Sequence, residues 1–457
     1  NCHLIFNLGE IMANDEYLQE LSNRIDDQSL RIAVIGLGYV GLPTAISFHK
    51  AGFHVLGIDS SISVIDSLKR FESTIVDEAE MQIPSGERWE ITSEYGTSIQ
   101  NCDLAIVCVP TPVDANLLPD IGYVRSAIES IISSNGKQKS LAIILESTVQ
   151  PGTTRDCISE TIASQGAQSG KIMMAYCPER VSPGEGGFGV GDVGRVIGSE
   201  DSQLTNLLSK LYQTITSGEV KEVSSIEVAV AAKLVENTQR DIDIAFSNEL
   251  AILLPKLGLD VEEVLEAAST KWNFHRHTPG IGVGGHCIPI DPHYYIEISK
   301  RYGVSSAMSP AARDLNSKMP IHSANEVIRL CGGVAPERVL VLGFSYKPNV
   351  SDCRETPVIP LINKLLDMGV SDILVWDPLM ENSQFPQNIC PISNPYEHEG
   401  VDCVVIATAH DEVTKLNWSK LRAKVQKNRI FDGRRCLPPS TFIENGWIYH
   451  AIGRPWK

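Results

Sequence analysis

At 457 residues the chain is long enough for about two to four domains of ~100–200 residues each. Hydrophobic residues make up 43% and charged residues 21%, enough apolar side chain to build real cores. A net charge of −17 argues against a general nucleic-acid binder, which leans on Lys and Arg, yet leaves room for a local cationic pocket for an anionic small molecule. No apolar run reaches the ~18–20 residues of a membrane span, so no membrane partner is expected. The eleven cysteines show neither C-x-x-C pairs nor zinc-like spacing. They read as reduced thiols of a cytoplasmic protein with no metal site.

Residues 1–28 read as an upstream extension or leading helix with no inferred chemistry, and Met12 is a candidate native start. The mildly apolar first eleven residues lack a basic segment, so no signal peptide is expected. Residues 31–35, R-I-A-V-I, form a β-branched run ending in G-L-G-Y-V-G, and a helical pattern follows to about Lys50. In this strand–turn–helix, Gly36 permits the tight turn, Gly38 lets backbone approach a pyrophosphate, and Gly41 lets the helix pack on the strand. Tyr39 and Val40 lie between them, at a helix start that offers N–H groups and a positive dipole end to phosphates. A second strand over 53–58 ends in Asp59, at the distance expected for a carboxylate on a ribose 2′-hydroxyl. A carboxylate there favours NAD over NADP, whose 2′-phosphate it would repel.

Further strands are predicted at 104–109, 141–146 and 172–176, ending in the loops V-P-T-P, E-S-T-V-Q-P-G-T and C-P-E-R. In an open α/β sheet ligands bind at these carboxyl ends, which places Pro110, Thr111, Thr148, Glu179, Arg180 and Val181 among the candidates. Taken singly, the threonines equally suit helix caps, and Glu179 with Arg180 an ordinary surface ion pair. Residues 225–257 turn helical, with no Gly or Pro until Pro255. Lys233 and Asn237 stand at i,i+4 on one face, with Arg240 close by. From the helix alone a solvated polar face is the favoured reading.

Residues 279–292, P-G-I-G-V-G-G-H-C-I-P-I-D-P, place Cys287 after two glycines and a histidine, with Asp291 four residues on. Two readings stand on these residues: a buried thiol in a tight turn, or a nucleophile that a substrate reaches. A second nucleotide-fold pattern then begins. R-V-L-V-L-G at 338–343 echoes R-I-A-V-I-G, and D-I-L-V-W-D at 372–377 echoes the strand before Asp59. It lacks the three-glycine turn. In its place stands G-F-S-Y-K-P-N-V-S-D-C-R-E-T-P, whose Lys347 and Arg354 suit a diphosphate. An NAD site, a helical lysine and a reactive cysteine together suggest more than one alcohol oxidation. Thiolate addition to an aldehyde gives a hemithioacetal that surrenders a second hydride and leaves a thioester for water.

The set G-L-G-Y-V-G-L-P, V-P-T-P, E-S-T-V-Q-P-G-T, C-P-E-R, K-L-V-E-N-T, G-V-G-G-H-C and G-F-S-Y-K…D-C-R-E-T-P resembles the UDP-glucose/GDP-mannose dehydrogenase family, in order from about residue 30 onward. The resemblance implies an α/β protein of two Rossmann-like doubly wound domains joined by a long central helix and a helical middle domain. It implies an NAD-binding domain at 29–218, a dimerisation and catalytic domain at 219–330 and a UDP-binding domain at 331–457. By position, Cys287 resembles the nucleophile, Lys233 and Asn237 the oxyanion stabilisers, and Asp291 an acid that handles protons through water. Thr148 and Glu179 resemble the pair that positions water and substrate, with Glu179 a candidate base. Thr111, Thr148 and Arg354 match cofactor contacts. Arg180, Val181, Arg240, Arg276, Gly284, Tyr346 and Lys347 join the expected substrate contacts.

P-E-R at 178–180, where UDP-glucose and GDP-mannose members tend to carry P-E-F, resembles the UDP-N-acetylhexosamine members. T-K-W-N-F at 270–274 is closer to the glucosamine and galactosamine enzymes than to the mannosamine type. The expectation is a homodimeric UDP-N-acetylhexosamine 6-dehydrogenase with UDP-N-acetylglucosamine as first choice. A UDP-glucose 6-dehydrogenase, a single-step NAD-dependent hydroxyacid dehydrogenase and a non-catalytic NAD-sensing module remain the alternatives.

Overall fold

Parallel strands buried on both faces must be apolar where they are buried, and the runs L-A-I-I-L and, after Arg338, V-L-V-L meet that demand. The computed structural model describes residues 2–73, 82–135, 140–164, 172–181, 189–387 and 389–456. The chain divides into two compact units, the first running to Glu236 with His293–Tyr302, the second Asn237–Pro292 with Gly303–Lys457.

The first unit holds β1 (Arg31–Ile35), β2 (His54–Ile58), β3 (Trp89–Thr92), β4 (Leu104–Val107), β5 (Leu141–Leu145), β6 (Ile172–Tyr176), β7 (Arg195–Ser199) and β8 (Val220–Glu222). Their order is β3-β2-β1-β4-β5-β6-β7-β8, parallel as far as β6, with β7 antiparallel to β6. The first six strands thus follow the doubly wound order of a dinucleotide-binding sheet. β4 stops at Val107, two residues short of the apolar run, ahead of Pro110 and Pro112, which have no N–H for a ladder. The second unit holds β9 (Arg338–Leu342), β10 (Asp372–Trp376), β11 (Cys390–Pro391), β12 (Val401–Ile406), β13 (Val425–Asp432) and β14 (Ile448–Ala451). Their order, β11-β10-β9-β12-β13-β14, repeats the same topology with every pairing parallel.

The long helix Ile226–Leu253 has 28 residues and so runs about 42 Å. The expected helix to residue 257 tightens into a 3₁₀ turn, Leu254–Leu257, with Pro255 near its start and Gly258 left-handed after it. Helices Val261–Ala268, Asp291–Arg301 and Met308–Leu330 complete the middle of the chain.

The leading residues do more than extend the chain. Helix Cys2–Asp26 buries Leu18, Leu21 and Ile25 in the core of the first unit. Its Tyr17 hydroxyl donates to the Asp103 carbonyl (2.6 Å) and accepts the Ala142 N–H (2.8 Å), closing two open ladder ends.

The turns after β1 and β9 are built alike. Gly36 (φ +89°) donates to the Ile58 carbonyl at 2.7 Å, and Gly343 (φ +85°) to the Trp376 carbonyl at 2.7 Å. A Cβ on Gly36 would meet the Cys108 carbonyl oxygen at 2.7 Å, and one on Gly343 would meet Thr408 at 2.5 Å. One residue beyond each strand-end carbonyl stands an aspartate. Asp59 accepts the Leu37 N–H at 2.8 Å, and Asp377 those of Phe344 and Ser345 at 2.7 and 3.0 Å. Burial alone would raise the Asp377 carboxyl, but His410 and these backbone donors hold it down at about 2.

Tyr17→Phe strands a carbonyl and an N–H, and a lower urea midpoint, by ~1–3 kcal/mol of stability, is expected. A carboxyl depressed on folding stabilises the fold above its unfolded value and stops doing so as pH falls towards its folded value. The stability gap between wild type and Asp377→Asn, ~2 kcal/mol at neutral pH, should therefore close between about pH 4 and pH 2. A gap constant across that range would show that the charge contributes nothing.

Candidate active site

In the first unit the candidates gather at the carboxyl ends of β1, β2, β4, β5 and β6. Gly38 is exposed, and a Cβ built on it would meet nothing within 4 Å. Gly41 is packed so closely that its Cβ would overlap the Gly36 carbonyl oxygen. Tyr39 and Val40 lead into helix Gly41–Lys50, which no side chain caps. This open glycine edge, uncapped helix start and strand-end Asp59 fit a dinucleotide. Asp59 gives one oxygen to Leu37 N–H and the other to Ser61 N–H (2.9 Å), so its carboxylate is fixed in orientation.

Pro110 is exposed and Thr111 buried in the loop after β4; Thr148 is half-buried in the loop after β5. Ser147 joins these loops by donating to the Val109 carbonyl at 2.7 Å. Tyr294, fully buried, donates to the Thr111 carbonyl at 3.0 Å, while its own carbonyl accepts from Gln150 at 3.2 Å. Sequence reasoning missed Tyr294, because nothing local marks a tyrosine that reaches across 183 residues.

Lys233 is not on a solvated face. It is 7% exposed, and its Nζ donates to the Glu179 carbonyl oxygen. The Glu179 carboxylate turns back onto the Val181 N–H. Arg180 pairs not with Glu179 but with Glu236 (2.8 Å), and donates to the Gly194 carbonyl at 3.3 Å. Behind these loops Glu146 accepts from the Tyr212 hydroxyl at 2.7 Å and faces the Arg195 guanidinium at 3.7 Å, both carboxylate and guanidinium being buried. Burial pushes the Glu146 carboxyl up, against the pull of Arg195.

In the second unit Cys287 is exposed at the head of the glycine loop. The backbone N–H groups of Ile290 and Asp291 return to its carbonyl at 3.1 and 2.8 Å. Asp291 is buried, and Asn237 donates to it at 2.5 Å. The loop leaves no room for side chains: a Cβ on Gly284 would meet the Glu355 carbonyl oxygen and Tyr346 at 2.7 Å, and one on Gly285 (φ +89°) the Tyr346 ring at 2.7 Å. Gly285 N–H also bonds the Arg354 carbonyl at 3.0 Å. The loop and the 343–357 segment are thus packed on each other, bringing Gly284, Cys287, Asp291, Asn237, Tyr346 and Arg354 into one neighbourhood. Lys347 is half-buried beside Tyr346 on the turn. The Arg354 guanidinium is clasped by Asp352 at 2.6 Å. Arg240 is exposed, and Arg276 lies against Glu262, so neither is drawn into that neighbourhood by a contact of its own.

A buried polar network that sequence reasoning also missed holds this loop. Asp241 takes Arg313 through both carboxylate oxygens and Asn316 Nδ2 at 2.7 Å. Asn316 takes Asn248 at 2.9 Å, and Asn248 takes the Gly280 N–H at 3.0 Å. Arg313 donates in addition to the Pro289 carbonyl at 3.4 Å. Both ends of the cysteine loop are thereby tied to helices Ile226–Leu253 and Met308–Leu330. Arg434 lies beneath Gly280, its guanidinium brought down to about 10 by burial.

Residues 30–216 match the NAD binding domain of the UDP-glucose/GDP-mannose dehydrogenase family, residues 227–318 its central domain and residues 340–439 its UDP binding domain. UDP-N-acetyl-D-glucosamine 6-dehydrogenase of Pseudomonas aeruginosa is 36% identical over 408 residues, covering 86% of this chain and 94% of its own length. UDP-N-acetyl-D-mannosamine dehydrogenase of Methanocaldococcus jannaschii is 32% identical over 431 residues, 93% of this chain and 96% of its own. The solved structure of UDP-D-ManNAc dehydrogenase from Pyrococcus horikoshii superposes with a TM-score of 0.81 at 31% identity, covering 93% of this chain and 99% of that one. With the three domains following one another in the family's order, this chain belongs to the UDP-glucose/GDP-mannose dehydrogenase family and is an NAD-dependent oxidoreductase.

Proposed function

We propose that the protein oxidises the C6 hydroxymethyl of a UDP-N-acetylhexosamine, first choice UDP-N-acetylglucosamine, to the uronic acid, for surface polysaccharide assembly. The observation that carries this reading is an exposed thiol, Cys287, on a loop hydrogen-bonded at both ends to helices and with buried Asp291 beside it. When bound, NAD supplies the hydride acceptor for both oxidations. Loss of hydride and of the hydroxyl proton converts the alcohol to an aldehyde. The Cys287 thiolate adds to the aldehyde carbon, and the Lys233 ammonium and Asn237 amide balance the oxyanion. A second hydride leaves the thiohemiacetal, and water cleaves the resulting thioester, returning the thiol and releasing the carboxylate. Asp291 holds protons through water, while Thr148 and Glu179 position the water, with Glu179 as base. Hydrogen bonds from Asn237 to Asp291 and from Lys233 to the Glu179 carbonyl support these roles, since they order the donors before substrate arrives.

Tyr346, Lys347 and Arg354 are assigned to the UDP and cofactor side, and Arg180, Val181, Arg240, Arg276 and Gly284 to the sugar nucleotide. The acetamido sugar is favoured by Arg180 in place of phenylalanine and by the Pseudomonas aeruginosa relative. The protein acts as a homodimer in the cytoplasm. Exposed Val228, Val235, Phe246 and Leu253 lie on one stripe of helix Ile226–Leu253, which suits a second copy. Among the described residues no helix is long and apolar enough to cross a membrane.

The first test is NADH formed per sugar consumed, with UDP-glucose and the three UDP-N-acetylhexosamines in parallel. Two NADH per acetamido sugar are expected, and Cys287→Ala should abolish acid formation with the fold intact. One NADH per sugar, or a clear preference for UDP-glucose, would overturn the reading. Asp59→Asn should narrow the preference for NAD over NADP; an unchanged ratio of kcat/KM values would remove Asp59 from the ribose.

A further inference from the structure

We infer that His410, just past the end of β12, is a positioning residue that sets affinity for the nucleoside diphosphate by clasping both ends of the turn at 343–349. The inference rests on the reading that Tyr346 and Lys347 of this turn face the UDP end of the substrate.

His410 is fully buried, yet both ring nitrogens are engaged. Its Nδ1 accepts the Asn349 N–H at 3.0 Å. A backbone donor at Nδ1 leaves the proton on Nε2, which donates to Asp377 Oδ2 at 3.1 Å. The same Oδ2 takes the N–H groups of Phe344 and Ser345 and the Ser345 hydroxyl, at 2.7, 3.0 and 2.9 Å. One imidazole therefore ties the turn's entry through Asp377 and its exit directly. The exit turns at Asn349, at φ +60°, a left-handed conformation that asparagine tolerates better than other residues with a side chain. Its side chain is clasped too: Asn349 donates to Asp411 Oδ1 at 3.2 Å and accepts the Asp411 N–H at 3.0 Å. Between the two pins stand Tyr346 and Lys347. Tyr346 is also the surface on which Gly284 and Gly285 of the cysteine loop rest.

A satisfied core histidine would matter to stability alone, and two isosteric variants separate the cases. In His410→Asn the amide oxygen replaces Nδ1 and keeps the bond to Asn349 while the link to Asp377 is lost. In His410→Gln the amide nitrogen replaces Nε2 and the turn's exit is released. Calorimetric titration with UDP alone and steady-state kinetics with the preferred UDP-sugar would be run on all three proteins, with thermal unfolding as control. His410→Gln is expected to weaken UDP binding and raise KM about tenfold, with a smaller fall in kcat, and His410→Asn to weaken both by less, because the exit stays bonded while Asp377 still holds the entry without its imidazole. Equal UDP affinity in all three, or losses that follow thermal stability rather than the nitrogen retained, would overturn the inference. A wild type that binds no UDP would instead overturn the assignment of the turn to UDP.

Discussion

A carboxylate at the end of the second strand that grips the N–H groups of the turn after the first is the interaction on which both halves depend. Asp59 and Asp377 occupy equivalent places, each one residue past the carbonyl that receives the turn glycine. A tight turn leaves backbone N–H groups with no strand to bond, and an unmet buried donor costs on the order of 1–3 kcal/mol. The two halves spend the same carboxylate differently. Asp59 keeps a partly exposed edge beside an open glycine, where a ribose hydroxyl can be met. Asp377 is enclosed by three backbone donors, a hydroxyl and an imidazole, so its turn is held from within.

The cysteine loop follows the opposite logic. Glycine makes its backbone adaptable, and adaptability is entropy that must be removed before the loop holds one shape. Here the ordering comes from outside the loop: from Asn248 and Arg313 at its ends, from the Tyr346 ring at its middle, and from the return of Asp291 N–H to the Cys287 carbonyl. Charged groups this deep are tolerated because they are paired. Asp241 meets Arg313 and Asn316 together, so the carboxylate's burial is offset by several donors.

Much of this was legible because it is local. The glycine turn, Asp59, the i,i+4 pair of Lys233 and Asn237, and the cysteine four residues before Asp291 are spacings along one element. What escaped notice lies in partners far apart in the chain: Asp241 with Arg313, Glu146 with Tyr212 and Arg195, Thr111 with Tyr294, Asp377 with His410. Each member alone looks like an unremarkable polar residue, and only the folded topology makes it a network. Lys233 shows the same limit in reverse: its helical periodicity favoured a solvated face, while the loop after β6 covers it and offers a carbonyl. Residues 182–188, which continue the P-E-R motif, lie outside the described residues.

The Asp241–Arg313–Asn316–Asn248 chain has a consequence for how this sequence can drift. Removing one member leaves a buried charge or amide without its partner, whereas replacing the set together with apolar groups of matching volume need not. Its four positions therefore form one epistatic block: single steps cross a valley, and energies measured one at a time will not add. Single steps are tolerated instead at exposed positions outside the block, where no buried partner is stranded and side chains can be exchanged one by one.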